Sequence, residues 1–146
     1  MTTLLVPPLA AAPTITTGVD IASVQRLRQL LDTRPPFALA VFSPDEIAYC
    51  RRFRDPAPHF AARFGAKEAT LKALSLGLGV PPATRRLRDV EVCRTAGPPR
   101  LRLHNRLAAA ARRLGVTGAA VALSHDGDYA IAQVLLSWRA PGEVAS

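Results

Sequence analysis

HFAARFGAKEATLKALSLG, residues 59–77, carries apolar side chains at helical spacing between a Pro-rich break at 55–58 and the glycines Gly77 and Gly79. The spacing predicts the longest helix of the chain, closed by glycine. Gly65 sits inside it, where glycine costs about 1 kcal/mol relative to alanine unless another backbone must come close.

The charged part of this helix, KEATLK, holds Lys67 and Lys72, the only lysines among nineteen basic residues. In a chain that otherwise uses arginine for positive charge, a compact ammonium suits contact with a single phosphate oxygen. Glu68 and Lys72 are four residues apart and share a helix face. The plain consequence is an intrahelical ion pair worth about 0.3–0.5 kcal/mol. The chemical alternative is a carboxylate beside a metal and an ammonium beside a phosphate on one rigid element, with Arg63 one turn earlier adding a forked donor.

Upstream, ITTGVDIA at 15–22 is rich in β-branched residues and reads as a strand, with Ser23 as N-cap of the helical VQRLRQLLD that follows. Asp20 lies near that strand's end. In an apolar run it needs a cation or hydrogen-bond donors, since an uncompensated buried charge costs on the order of several kcal/mol; capping the next helix is the plain alternative. Arg34-Pro35-Pro36 is expected to break the chain. Ser43, Pro44 and Glu46 form a capping-box signature for a helix over 44–53.

Downstream of the loop GLGVPPATRR come strands at 89–94 and 100–103, a helix over 105–114 closed by Gly115, and strands at 119–124 and 129–136 joined by His125-Asp126-Gly127-Asp128. Helices and strands mix without βαβ alternation, so the class is α+β, a small antiparallel sheet packed with one long and several short helices. Residues 1–14, without Lys or Arg and with three prolines, are expected to be a flexible tail rather than a leader, as are residues 139–146; one domain spans 15–138.

The apolar fraction of 49% suffices for a core, and no apolar run reaches the roughly 18–20 residues of a membrane span. Cys50 and Cys93, far apart, make no redox or zinc motif and are read as two buried thiols of a cytoplasmic protein. A formal charge of +8 points to an anionic partner, whether phosphorylated cofactor, acidic protein or nucleic acid. Two carboxylates without a His or Cys cluster suit Mg²⁺ completed by substrate phosphates. His125 opens an exposed turn where imidazole can donate to phosphate; His59 and His104 have no partner motif and are read as structural.

Taken together, GVDI at 18–21, FSPDE at 42–46, ARFGAKEATLKAL at 62–74 and ALSHDGDYAIAQV at 122–134 resemble the holo-acyl-carrier-protein synthases, the small bacterial branch of the phosphopantetheinyl transferases, over residues 16–136. The resemblance implies that fold, and a Mg²⁺-dependent transfer of 4′-phosphopantetheine from coenzyme A to a carrier serine. It implies Asp20 and Glu68 as metal ligands, Lys72 on the coenzyme's pyrophosphate, and Glu68 or a water beside the metal as base. Arg63, Lys67, His125 and the stretch from Gly79 to Pro82 are expected around the coenzyme, and Arg26 and Arg28 against the acidic carrier. A homotrimer with sites at subunit interfaces is also implied, with no nucleic-acid or membrane partner. Where many relatives carry an acidic residue three positions after the metal-binding Asp, this chain has Ser23.

Two other functions compete. A basic nucleic-acid-binding domain would explain the charge, but aromatic content is only 5% and no such motif is present. A silent carrier-binding module is opposed by the presence of Asp20, Glu68 and Lys72.

Overall fold

A computed structural model of the protein describes residues 15–78 and 86–139. The tail expected at 1–14 lies outside the described residues, as does the tail expected at 139–146 except for Arg139, whose N donates to the Gly115 carbonyl at 2.7 Å. The elements run β1 (Ile15–Ser23), α1 (Val24–Thr33), α2 (Pro36–Val41), α3 (Pro44–Cys50), α4 (Ala57–Leu78), a 3₁₀ turn (Leu87–Asp89), β2 (Val90–Cys93), β3 (Arg100–Leu103), α5 (Asn105–Leu114), β4 (Val116–Asp126) and β5 (Tyr129–Trp138). The strand and helix signals at 15–33 are met, and Ser23 Oγ accepts from Arg26 N at 3.1 Å as the N-cap of α1.

Several boundaries differ from expectation: β4 and β5 both run longer than the expected 119–124 and 129–136, and two differences lie among the helices. Pro35-Pro36 does not simply break the chain: Pro36 opens α2, because a helix start has no use for the N–H that proline lacks. The capping box at Ser43 and Glu46 is present, yet α3 stops at Cys50 rather than near Phe53. Gly115 ends α5 at φ 92, the left-handed conformation that favours glycine.

β1, β5 and β4 form an antiparallel three-stranded sheet in that order, and β2 and β3 form a separate hairpin. Along β5 every second residue is buried: Ala130, Ala132, Val134, Leu136 and Trp138. That face packs under α4, which buries Phe60, Ala61, Ala66, Ala69, Ala73 and Leu74. A helix apolar on most sides belongs in the middle of a core. The approach is unusually close, since a Cβ at Gly18 would fall 1.9 Å from the Ala69 carbonyl oxygen, so no side chain fits there. Gly65 faces Ala132 and the Asp20 carbonyl in the same seam. Gly18 is what lets the strand carrying Asp20 lie against the helix carrying Glu68, whereas a Cβ at Gly65 would meet only ordinary van der Waals contact, 3.4 Å from Ala132 Cβ.

Candidate active site

Asp20 projects from β1 toward α4, opposite buried Ala132 in the strand register. Its Oδ1 lies 2.8 Å from Lys72 Nζ, which also donates to the Val19 carbonyl at 3.1 Å. Lys72 therefore pairs across the helix–strand seam with Asp20. Glu68, one turn before Lys72, is half-buried. Its pKa is raised, first by burial and then by the negative charge of Asp20, with Lys72 acting in the opposite sense. Two carboxylates thus repel each other across the seam with one exposed ammonium beside them.

That donor set has a defined chemistry. Hard carboxylate oxygens that repel one another are eased by a hard cation placed between them. Among the described residues no group of three or more His, Cys, Asp and Glu gathers to hold a metal. Two protein oxygens leave most of a coordination shell to water and phosphate, the manner in which Mg²⁺ is commonly held.

A second cluster surrounds a cavity of about 250 Å³ lined by Tyr49, His59, Arg63, Arg94, Ser124 and His125, among others. Arg63 is 5% exposed, and its guanidinium stacks 4.0 Å from the centroid of Tyr49. Its Nε has no hydrogen-bond partner. Arg94 Nη1 donates to the Tyr49 hydroxyl at 2.7 Å. His125 is exposed at the end of β4, and none of the residues lining the cavity is acidic. A buried guanidinium with a free donor, a second arginine and an imidazole around one cavity make a site for an anion. Asp20 stands on β1 and His125 on β4, the two outer strands of the sheet, so the carboxylate pair and the cationic cavity lie toward opposite sheet edges.

Lys67 requires a correction. It was expected at the coenzyme, but its side chain is completely buried and its Nζ donates to Glu46 Oε2 at 2.8 Å, to the Leu87 carbonyl and to the Val90 carbonyl. One residue before Glu68 on a helix is about 100° around the axis, enough to turn it into the core. Burial pulls its pKa down while Glu46 pulls it up.

Arg26 is exposed on α1, whereas Arg28 makes a bidentate pair with Asp55 at 2.8 and 3.1 Å. Gly79 and Pro82 lie outside the described residues. His104 meets Glu91 Oε2 at 2.7 Å. Ser23 also donates to Asp128 Oδ2 at 3.0 Å, while Gln25 N donates to Asp128 Oδ1, so the β4–β5 turn clamps the start of α1.

Sequence reasoning missed Tyr49 and Arg94. Neither belongs to a motif, and only the packing of α3 and β2 against α4 brings them together. Tyr49, three residues beyond the capping-box Glu46 on the same helix face, is the one signal that was available.

Residues 16–134 match the family model of the 4′-phosphopantetheinyl transferase superfamily. The holo-[acyl-carrier-protein] synthase of Moorella thermoacetica is 42% identical over 120 residues, covering 82% of this chain and 91% of that protein. Among solved structures, the Chronobacterium ammoniagenes ACPS–CoA complex superposes with a TM-score of 0.76 at 30% identity, covering 87% of this chain and 99% of the other. The Helicobacter pylori holo-[acyl-carrier-protein] synthase in complex with coenzyme A gives 0.69 at 27% identity, covering 83% and 99%.

Proposed function

The chain belongs to the 4′-phosphopantetheinyl transferase superfamily as a holo-acyl-carrier-protein synthase, and from that premise we infer how its residues move phosphopantetheine from coenzyme A to a carrier serine. The observation that carries the reading is the meeting of Asp20, Glu68 and Lys72 across the seam between β1 and α4.

Asp20 and Glu68 are the residues that would hold Mg²⁺ against the coenzyme's pyrophosphate. When bound, Mg²⁺ draws negative charge from the phosphate oxygens and makes phosphorus more electrophilic. Lys72, exposed and already near the carboxylates, neutralises the charge that develops on the pyrophosphate. Glu68, or a water beside the metal, would accept the proton of the carrier serine hydroxyl. The serine oxygen bonds to the phosphorus that bears pantetheine, the bond from that phosphorus to the bridging oxygen breaks, and adenosine 3′,5′-bisphosphate leaves. Alignment and charge compensation supply the acceleration in transfers of this type. Arg63 and His125 serve the nucleotide phosphates in the cationic cavity.

Arg26 and Arg28 are proposed to meet the acidic carrier, whose approach a +8 chain steers electrostatically. We assign the catalytic unit to residues 15–138 and its location to the cytoplasm. No helix among the described residues is long and apolar enough to cross a membrane.

The outer face of the sheet supports the homotrimer. Val19 and Ile21 of β1 and Tyr129, Ile131 and Leu135 of β5 are all exposed there, with Ile21 directly opposite Ile131. A contiguous apolar face of this kind marks an association surface. Self-association through it would bring the carboxylate edge of one subunit toward the cationic edge of another, which a single chain separates. Ile131→Glu is expected to convert the trimer to monomer in sedimentation equilibrium and to lower turnover at least about tenfold, since a charge in an apolar interface costs on the order of several kcal/mol. A variant that stays trimeric would remove this face from the interface.

The direct test is intact-mass spectrometry of apo acyl carrier proteins, of fatty-acid and polyketide type, incubated with the protein, coenzyme A and Mg²⁺. One added phosphopantetheine, abolished by a chelator, is expected. Unmodified carriers throughout would sink the reading.

A further inference from the structure

His59 was read from sequence as structural. Its ring stacks on Phe53, centroids 3.5 Å apart and nearly parallel at 17°, and lies 6.4 Å from the ring of His125. It borders the same cavity as Arg63, Arg94 and His125, from the helix α4 that carries Arg63 one turn further on. The stack orients its ring from one side, and neither ring nitrogen has a hydrogen-bond partner among the described residues. The unpartnered Nε of a 95%-buried arginine in the same wall is an independent sign that this cavity expects an acceptor.

We propose that His59 is a further binding residue of the reaction, donating from its imidazole to a phosphate monoester of the nucleotide held by Arg63 and His125, and setting the preference for coenzyme A over the coenzyme lacking its 3′-phosphate. The proposal rests on the transferase reading and adds a second imidazole to the two arginines and His125 of the anion site.

The charges around His59 fix the sign of its pH dependence. Burial lowers its pKa first, then the positive charges of Arg63 on α4 and His125 on β4; Asp55, before α4, pulls the other way, and Tyr49 of α3 packs against it. Imidazole is therefore neutral in the empty site at neutral pH. A phosphate dianion favours the charged form, so binding takes up a proton. Affinity for the phosphorylated coenzyme should rise as pH falls toward and below the ordinary histidine value. The second ionisation of phosphate, near about 6, affects every variant alike and drops out of the comparison.

Isothermal titration of the full-length protein with coenzyme A and with dephospho-coenzyme A, in buffers of different ionisation enthalpy, tests this. His59→Phe keeps the stack on Phe53. It should weaken coenzyme A binding about tenfold at pH 6 and about threefold at pH 8, in line with the loss of one charge-assisted hydrogen bond. Binding of dephospho-coenzyme A should not change, and proton uptake with coenzyme A should fall. His59→Gln, which retains a donor without titrating, should recover part of the affinity but none of the proton uptake. If wild type transfers phosphopantetheine yet His59→Phe keeps the same discrimination and proton uptake, the proposal is overturned alone. If wild type neither binds coenzyme A nor modifies a carrier, the transferase reading falls and takes the proposal with it.

Discussion

Replacing Glu68 by Gln is expected to cut carrier modification about 10²–10³-fold while leaving the melting temperature unchanged or slightly raised. The size follows from removing both a metal-side oxygen and the proton acceptor of one step, each comparable to the loss of a single preorganised electrostatic partner. The sign of the stability effect follows from the raised pKa. A carboxyl that holds its proton more tightly when folded contributes stability below its unfolded value, and that contribution disappears as pH rises through the folded value. At neutral pH the ionised Glu68 is held against Asp20 in a half-buried seam, so a neutral isostere relieves strain. Turnover and thermal melting measured on the same preparation check both halves. A variant that retains turnover would remove Glu68 from the chemistry, and one that loses turnover only because it melts early would make the residue structural.

The largest stability loss is expected at Lys67, one residue away. Lys67→Met leaves Glu46, 1% exposed, without its ammonium. Breaking a buried pair from one side costs about 3–5 kcal/mol. For a domain of this size that lowers Tm by roughly 10–20 °C. Glu46 is a hub: Oε2 also accepts from Ser43 N at 2.8 Å, and Oε1 accepts from Val92 N at 2.9 Å, so the pair ties α4 to the start of α3 and to β2. The double variant with Glu46→Gln should regain part of the loss, because a neutral amide can remain in the core without a counter-ion. The KM for coenzyme A of the folded fraction should stay within about threefold of wild type, since Lys67 lines no cavity wall that the coenzyme uses; a KM effect without a stability effect would restore the coenzyme-binding role.

The two lysines of KEATLK show what a linear reading can and cannot reach. Their rarity in an arginine-rich chain marked both as special, and both are, but for opposite reasons. A step of five residues along a helix turns the side chain about 140° around the axis, so Lys72 emerges beside Asp20 and Lys67 enters the core beside Glu46. Which face would be inside depends on where α3 and β2 pack, and no local pattern contains that. Likewise the capping box announced Glu46 as a helix-start residue, correctly, but not as the counter-ion of a buried lysine 21 residues on.

By itself the sequence determined the α+β class, the long central helix, the strand bearing Asp20 and the hairpin ending near His125, because periodicity, caps and turn residues act within a few residues of themselves. Only the tertiary structure decided that Lys72 pairs with Asp20 rather than with Glu68, that Arg63, Arg94, Tyr49 and His59 wall one cationic cavity, and that Lys67 is buried against Glu46. Those outcomes depend on the close contact that Gly18 permits between β1 and α4, and such contacts join residues whose separation along the chain erases any local signal.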